Sequence, residues 1–136
     1  MTERFARVPW RDALRPAGPG PLEGRALVGP NGVVAGTVRT ALTPLRRMRG
    51  LIGRRELAPD EALLIRPCSQ VHGIGMRHPF DAVFCDGDLR VLHVTTVRPR
   101  RVSRYVRGAQ CCFELASGRA AQAGVQPGTT LRLSAP

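Results

Sequence analysis

Chain-breaking residues punctuate this sequence so often that its elements must be short. Glycine and proline supply 15 and 12 of the 136 residues. Apolar runs stay as brief as Ala62-Leu63-Leu64-Ile65. A fold made from such pieces is built of short strands and tight turns. A membrane span needs about 20 apolar residues in succession, so none is expected. The charges of Met1-Thr2-Glu3-Arg4-Phe5 are followed by no apolar run, so no secretory signal is expected either. An apolar share of 43% can supply one compact core, which fits one domain at this length.

Residues 1–24 read as an arm, because Pro16-Ala17-Gly18-Pro19-Gly20-Pro21 holds neither a helix nor a central strand. Phe5, Val8 and Trp10 are the groups that would pin the arm to a single β-rich domain over 25–136. Strands are predicted at Ala26–Val28 and Val33–Val38, around Gly29-Pro30-Asn31-Gly32, a strong hairpin signal. Thr43-Pro44 predicts a helix start, and Leu45, Met48, Leu51 and Ile52 follow at helical spacing up to Gly53. Glu61–Arg66 and Val71–Ile74 read as short strands. Phe80–Cys85 and Leu89–Val97 form the clearest hairpin, turning near Asp86-Gly87. Cys111–Leu115 is another strand, and Ser117 is placed to cap a short helix that Gly124 ends. Thr129–Leu133 closes the chain as a last strand. The sum is an α+β domain, predominantly β, expected as a small barrel-like antiparallel sheet with two short helices.

The charge is as informative as the pattern. All 21 basic residues are Arg, and with 10 acids the net charge is +11. The absence of Lys excludes a Walker-type phosphate loop, a Schiff-base lysine and a kinase lysine. It also has the look of codon bias in a GC-rich genome. The excess is concentrated: Arg98, Arg100, Arg101, Arg104 and Arg107 fall within ten residues that contain no acid, beside Tyr105.

Three blocks resemble the family called domain of unknown function 192. The first is Leu42-Thr-Pro-Leu-Arg-Arg-Met-Arg-Gly-Leu-Ile-Gly-Arg54, followed by Leu57 and Glu61–Ile65. The second is Gly75-Met76-Arg77-His78-Pro79-Phe80-Asp81 and onward to Asp86. The third is Phe113–Gly118 with Gly124-Val125-Gln126-Pro127-Gly128. Together they cover roughly residues 35–133. The resemblance implies a small β-rich bacterial or archaeal domain and brings no activity with it. The positions it carries over are Arg49-Gly50-Leu51, Met76, Asp81, Tyr105, Glu114, Gly118, Gly124 and Gly128. Gly75 stands where many members have an aromatic residue, and the Asn-Thr pair that follows the basic residue in many members is missing here.

Asp81 is the most interesting acid. On an alternating strand it shares a face with Val83 and Cys85, opposite Leu92 and Val94, while Phe80, Ala82 and Phe84 face Val91 and His93. A carboxylate between apolar faces is suited to acid–base work, or else accepts bonds from backbone N–H groups or from an Arg such as Arg49. Cys68, His72, His78 and Cys85 lack the tight spacing of a zinc knuckle, so no metal is expected. Cys111 and Cys112 point to opposite faces of a strand, which argues against a disulfide between them. Cys68, near Arg66 and His72, is the thiol best placed to react. The Gly73-x-Gly75 stretch reads as a bend where the backbone approaches something closely, for instance the packed arm.

These features predict a cytoplasmic, non-enzymatic binding or accessory domain without cofactor. Its Arg98, Arg100, Arg101, Arg104, Tyr105 and Arg107 would meet an acidic protein surface. One alternative is a small enzyme using Asp81 with His72 or His78. The other is nucleic-acid binding, which ranks behind because only six aromatics (one Trp, one Tyr, four Phe) are available for stacking.

Overall fold

The computed structural model describes residues 24–41 and 57–134. The expected arm, the helix over Leu45–Ile52, and Arg49 with Gly50 lie outside the described residues. Strands β1 (Leu27–Gly29) and β2 (Gly32–Ala35) form the expected hairpin, with Gly29 opposite Gly32 and Pro30-Asn31 at the turn. On its other side β1 pairs with β8 (Arg132–Leu133), which gives a three-stranded sheet in the order β2-β1-β8.

A second sheet has five strands. These are β3 (Thr37–Ala41), β4 (Glu61–Ile65), β5 (Phe80–Cys85), β6 (Val91–Val97) and β7 (Cys111–Ala116), in the order β3-β4-β7-β5-β6. Strands β3 and β4 run parallel and the other neighbours antiparallel. A parallel pair requires a long crossover, and residues 42–60 supply it.

The expected barrel is not there, because neither sheet closes on itself among the described residues. The reason lies at Gly36. The sequence reads as one strand from Val33 to Val38, but the chain bends at Gly36, sending β2 into one sheet and β3 into the other. Asp60 holds the bend: its Oδ1 accepts the Gly36 N–H at 2.8 Å, and its carbonyl accepts the Thr37 N–H at 3.1 Å. Val71–Ile74 is likewise no strand; it contributes one isolated bridge, His72 to Val102.

One short helix, α1 (Arg119–Gln122), occurs among the described residues, against an expectation of two helices in the chain. Ser117 does not cap it. Gly118 is the N-cap residue, and no side chain at that position bonds to the helix. The far end does match expectation. Gly124, at φ 71°, donates to Ala121 while Val125 donates to Ala120 at 2.9 Å, a Schellman closure.

The main core lies between the two sheets and under α1. It contains Leu27, Val34, Leu64, Val83, Phe113, Leu115, Ala120, Leu131 and Leu133. Alternation sends the other side chains of the five-stranded sheet to its second face. There Leu63, Ile65, Phe80, Phe84 and Cys112 pack with Cys68, Val71 and Val106 from the covering loops. Cys111 and Cys112 accordingly join different cores, and none of the four cysteines is in a disulfide among the described residues.

Gly124→Ala is expected to destabilise the domain by about 1–2 kcal/mol. An added Cβ would meet the Asn31 amide and strain a left-handed backbone. The shift in the urea midpoint measures it.

Candidate functional site

The ribbon that carries the arginines is held by main-chain bonds to a second loop. Gly73 donates to Arg101 at 2.7 Å and accepts from Arg100 at 3.0 Å, Ser103 donates to Val71 at 2.8 Å, and Val106 donates to Ser69 at 2.8 Å. The buried Ser103 hydroxyl also accepts the Val71 N–H at 3.0 Å and donates to the Arg104 carbonyl. Gly73 is therefore the close approach expected from its bend: its neighbour among the described residues is the Arg98 carbonyl, with which a Cβ there would collide. Arg100 sits at φ 68°, a left-handed conformation that costs a non-glycine residue about 1–3 kcal/mol. The ribbon's pairing outweighs that cost.

Between this ribbon and β6 lies a cleft of about 350 Å³. Its walls include His93, Thr95 and Thr96 from β6 and Arg98, Arg101 and Arg104 from the ribbon, with no carboxylate. None of the arginines from Arg98 to Arg107 forms an ion pair with a carboxylate among the described residues. Arg100, Tyr105 and Arg107 belong to the same exposed ribbon but do not line the cleft. Val102 and Tyr105 are 55% and 64% exposed, so the cations are interleaved with apolar surface.

His93 is the cleft residue that sequence reasoning missed. Its expected place across from Phe84 holds, and it stacks on that ring at 6.3 Å between centroids. A bulge corrects the rest of the predicted register. Leu92 is an extra residue between the Cys85–Val91 and Phe84–His93 pairs, so Val91 joins the main core and Leu92 the second one. The bulge sets Leu92 beside His93 on the second face and brings the imidazole to the cleft rim. Burial, with the Arg104 charge in support, holds the His93 pKa below the ordinary imidazole value. The signal available in advance was the fit between the strand's alternation and the length of its turn.

Asp81 is 3% exposed and faces the main core. Its Oδ1 accepts the Thr96 hydroxyl at 2.8 Å, and its Oδ2 accepts the Ala120 N–H at 3.0 Å. Thr96, not Leu92, is thus its cross-strand neighbour. The remaining candidates do not converge on it. His72 is exposed on the loop that pairs with the ribbon, its Nδ1 accepting the Ile74 N–H, while His78 is half-buried just before β5. Among the described residues no hydrogen bond joins Asp81 to either histidine, and no group of three or more His, Cys, Asp or Glu is placed to hold a metal.

The four thiols are structural. Cys85 hydrogen-bonds the thiol of Cys111, and this bond, with burial, pushes its pKa up. Burial raises Cys112, which also bonds the thiol of Cys68. Cys68 itself is buried and donates to the Gln70 carbonyl, which leaves it a poor nucleophile. Of the motif positions, Met76 packs against the second core, Glu114 is buried on β7, and Gly118, Gly124 and Gly128 stand at turns.

Comparison with known proteins agrees with this fold. Residues 27–133 match the family model DUF192, described as "Uncharacterized ACR". A search of curated proteins finds no match. A crystal structure of a protein of unknown function from Novosphingobium aromaticivorans is similar, with a TM-score of 0.65 at 20% identity, covering 79% of this chain and 82% of that one. A Sinorhizobium meliloti protein, provisionally described as a transcription regulator, matches with a TM-score of 0.66 at 25% identity, covering 82% and 93%.

Asp81→Ala is expected to lower the unfolding free energy by about 2–3 kcal/mol, because it orphans both Thr96 and the first turn of α1. Asp81→Asn retains one acceptor and is expected to cost less. Urea denaturation followed by circular dichroism gives both values; unchanged midpoints would remove the carboxylate from this role.

Proposed function

The chain belongs to the DUF192 family, and we propose that it acts as a non-enzymatic binding module whose Arg98–Arg107 ribbon receives an acidic partner protein. One observation carries this reading: a cleft walled by Arg98, Arg101, Arg104 and His93 holds cations that no carboxylate neutralises among the described residues. Guanidinium groups fork onto carboxylates in pairs, and positive charge gathered on one face draws an acidic surface in before contact. Exposed Val102 and Tyr105 supply apolar contact beside the charges.

The reading also needs a compartment. Among the described residues no helix is long and apolar enough to cross a membrane. Four cysteines that form no disulfide among the described residues suit the reducing cytoplasm, where we place the protein.

A second reading is nucleic-acid binding. The description of the Sinorhizobium protein as a transcription regulator favours it, as does the net charge. It ranks second because Tyr105 is the one aromatic exposed on the ribbon for a base to stack on.

Capture from a lysate of the source organism, with and without nuclease, separates the two. The wild type is expected to retain an acidic protein after nuclease treatment, and the variant Arg98→Gln/Arg101→Gln/Arg104→Gln is expected to lose it. Equal capture by both would overturn the proposal, and loss on nuclease treatment would move nucleic acid to first place.

The second test is pH. His93 shares the cleft with Arg98, Arg101 and Arg104, and burial, with the Arg104 charge in support, holds its pKa below the ordinary imidazole value. An anion bound among them opposes that effect, so binding takes up a proton. Affinity for polyglutamate is therefore expected to rise between about pH 7.5 and about pH 5.5, and His93→Gln to flatten the rise. The free protein behaves in the opposite sense. Its unfolded chain binds the proton more readily than the fold does, so stability falls as pH drops through the ordinary imidazole value of 6.5. Fluorescence polarisation and thermal melts over that range measure the two effects.

A further inference from the structure

The cleft has a second property besides its charge: one of its walls is the open edge of a sheet. Within the five-stranded sheet β6 pairs with β5 alone among the described residues. At its start this outer edge already makes main-chain bonds. Val91 donates to the Thr129 carbonyl at 2.8 Å and accepts the Gly128 N–H at 2.8 Å, and Arg90 bridges Thr130. That pairing ends before His93. Among the described residues, the stretch His93-Val94-Thr95-Thr96-Val97 then continues with no strand beside it, and Thr95 and Thr96 line the cleft.

Natural sheets protect such edges with Pro, with charged side chains on the strand, or with a covering segment. Among the described residues this stretch has none of them. It carries four β-branched residues, no Pro, and a histidine held neutral. The ribbon does not swing across to cover it, because Gly73, Val71 and Ser69 occupy its own main-chain groups. The guard is the line of cations beside the edge.

We infer that the outer edge of β6 from His93 to Val97 takes up an extended acidic segment of the partner as an added strand, its carboxylates held by Arg98, Arg101 and Arg104. This rests on the ribbon being the partner-facing surface, and it adds the conformation in which the partner is bound. Main-chain pairing supplies affinity, and charge supplies selection. Five residues extend for about 17 Å, which spans the wall of the cleft. The same charges select against a second copy of this chain, since edge-to-edge pairing would bring two arginine ribbons together in a protein of net charge +11.

The test uses the full chain and a short fluorescent peptide that alternates Glu and Val. A second peptide of the same sequence carries N-methyl groups on alternate amides, which keep its charge and remove its strand-pairing donors. The methylated peptide is expected to bind roughly ten- to a hundredfold more weakly, the loss of two or so main-chain bonds. The unmethylated peptide is also expected to slow hydrogen exchange of outward-facing amides between His93 and Val97. Equal affinity of the two peptides with no slowing would overturn strand addition and leave the acid-binding ribbon standing. Failure of the unmethylated peptide to bind would also overturn it. The arginine reading falls separately, if the triple Arg variant captures the same partner from the lysate.

Discussion

A single dry carboxylate joins the parts of this domain that have no other reason to stay together. Asp81 lies in β5, next to the sheet edge, with the apolar core around it. Its two oxygens reach in different directions, one to Thr96 on the edge strand and one to the N–H of Ala120 in α1. The helix is four residues long, below the length at which a helix holds its own shape in water, and it has no local cap. Its first turn exists because a strand from elsewhere in the chain accepts its free donor. The helix in turn lays Ala120 over the main core and aims Arg119 at the carbonyls of Val33 and Val34, tying the two sheets together. Alternation along β5 decides this: one residue of register the other way would put the carboxylate under the covering loops and leave α1 without an acceptor.

The two faces of the five-stranded sheet divide the work. The face toward the three-stranded sheet is packed by strand and helix and gives the fold its cohesion. The other is covered by loops, and those loops accept conformations that a stable domain would otherwise avoid. Arg100 is left-handed, Gly73 is pressed against a carbonyl, and several arginines crowd together. Such arrangements persist when the surroundings over-determine them, as the ribbon's pairing and the buried Ser103 do here.

Much of the local structure was legible in the residues. The turn at Pro30-Asn31, the β5–β6 hairpin, the opposite aims of Cys111 and Cys112 and the stop at Gly124 each depend on a few neighbouring positions, and periodicity and turn chemistry speak to those. Asp81 was legible as a buried acid needing donors, and its backbone donor was named in kind though not in place. What escaped reading depends on distant partners. Gly36 looks like a tolerated glycine in one strand until Asp60 arrives to hold a bend. The extra residue at Leu92 cannot be seen without knowing where the turn closes, and it exchanges the faces of Val91 and Leu92. Ser117 has the right chemistry for a cap, but the geometry passed that task to a side chain far away in the chain. The cleft combines these failures: its three arginines were visible as charge, but its histidine and its open edge required the register.

The three-stranded sheet has a consequence for how the protein is made. Its central strand, β1, is the first element described, and the partner that completes it, β8, is the last. Leu27 lies opposite Leu133, and Ala26 and Ser134 exchange two hydrogen bonds across that span. A chain emerging from the ribosome therefore has β1 and β2 in hand long before it has anything to lay along them. Until residues 131–134 appear, the main core lacks Leu131 and Leu133. Contacts of such high separation form late and slowly. The nascent domain thus waits with one sheet unfinished, and that interval is when it most needs its like charges to hold copies of itself apart.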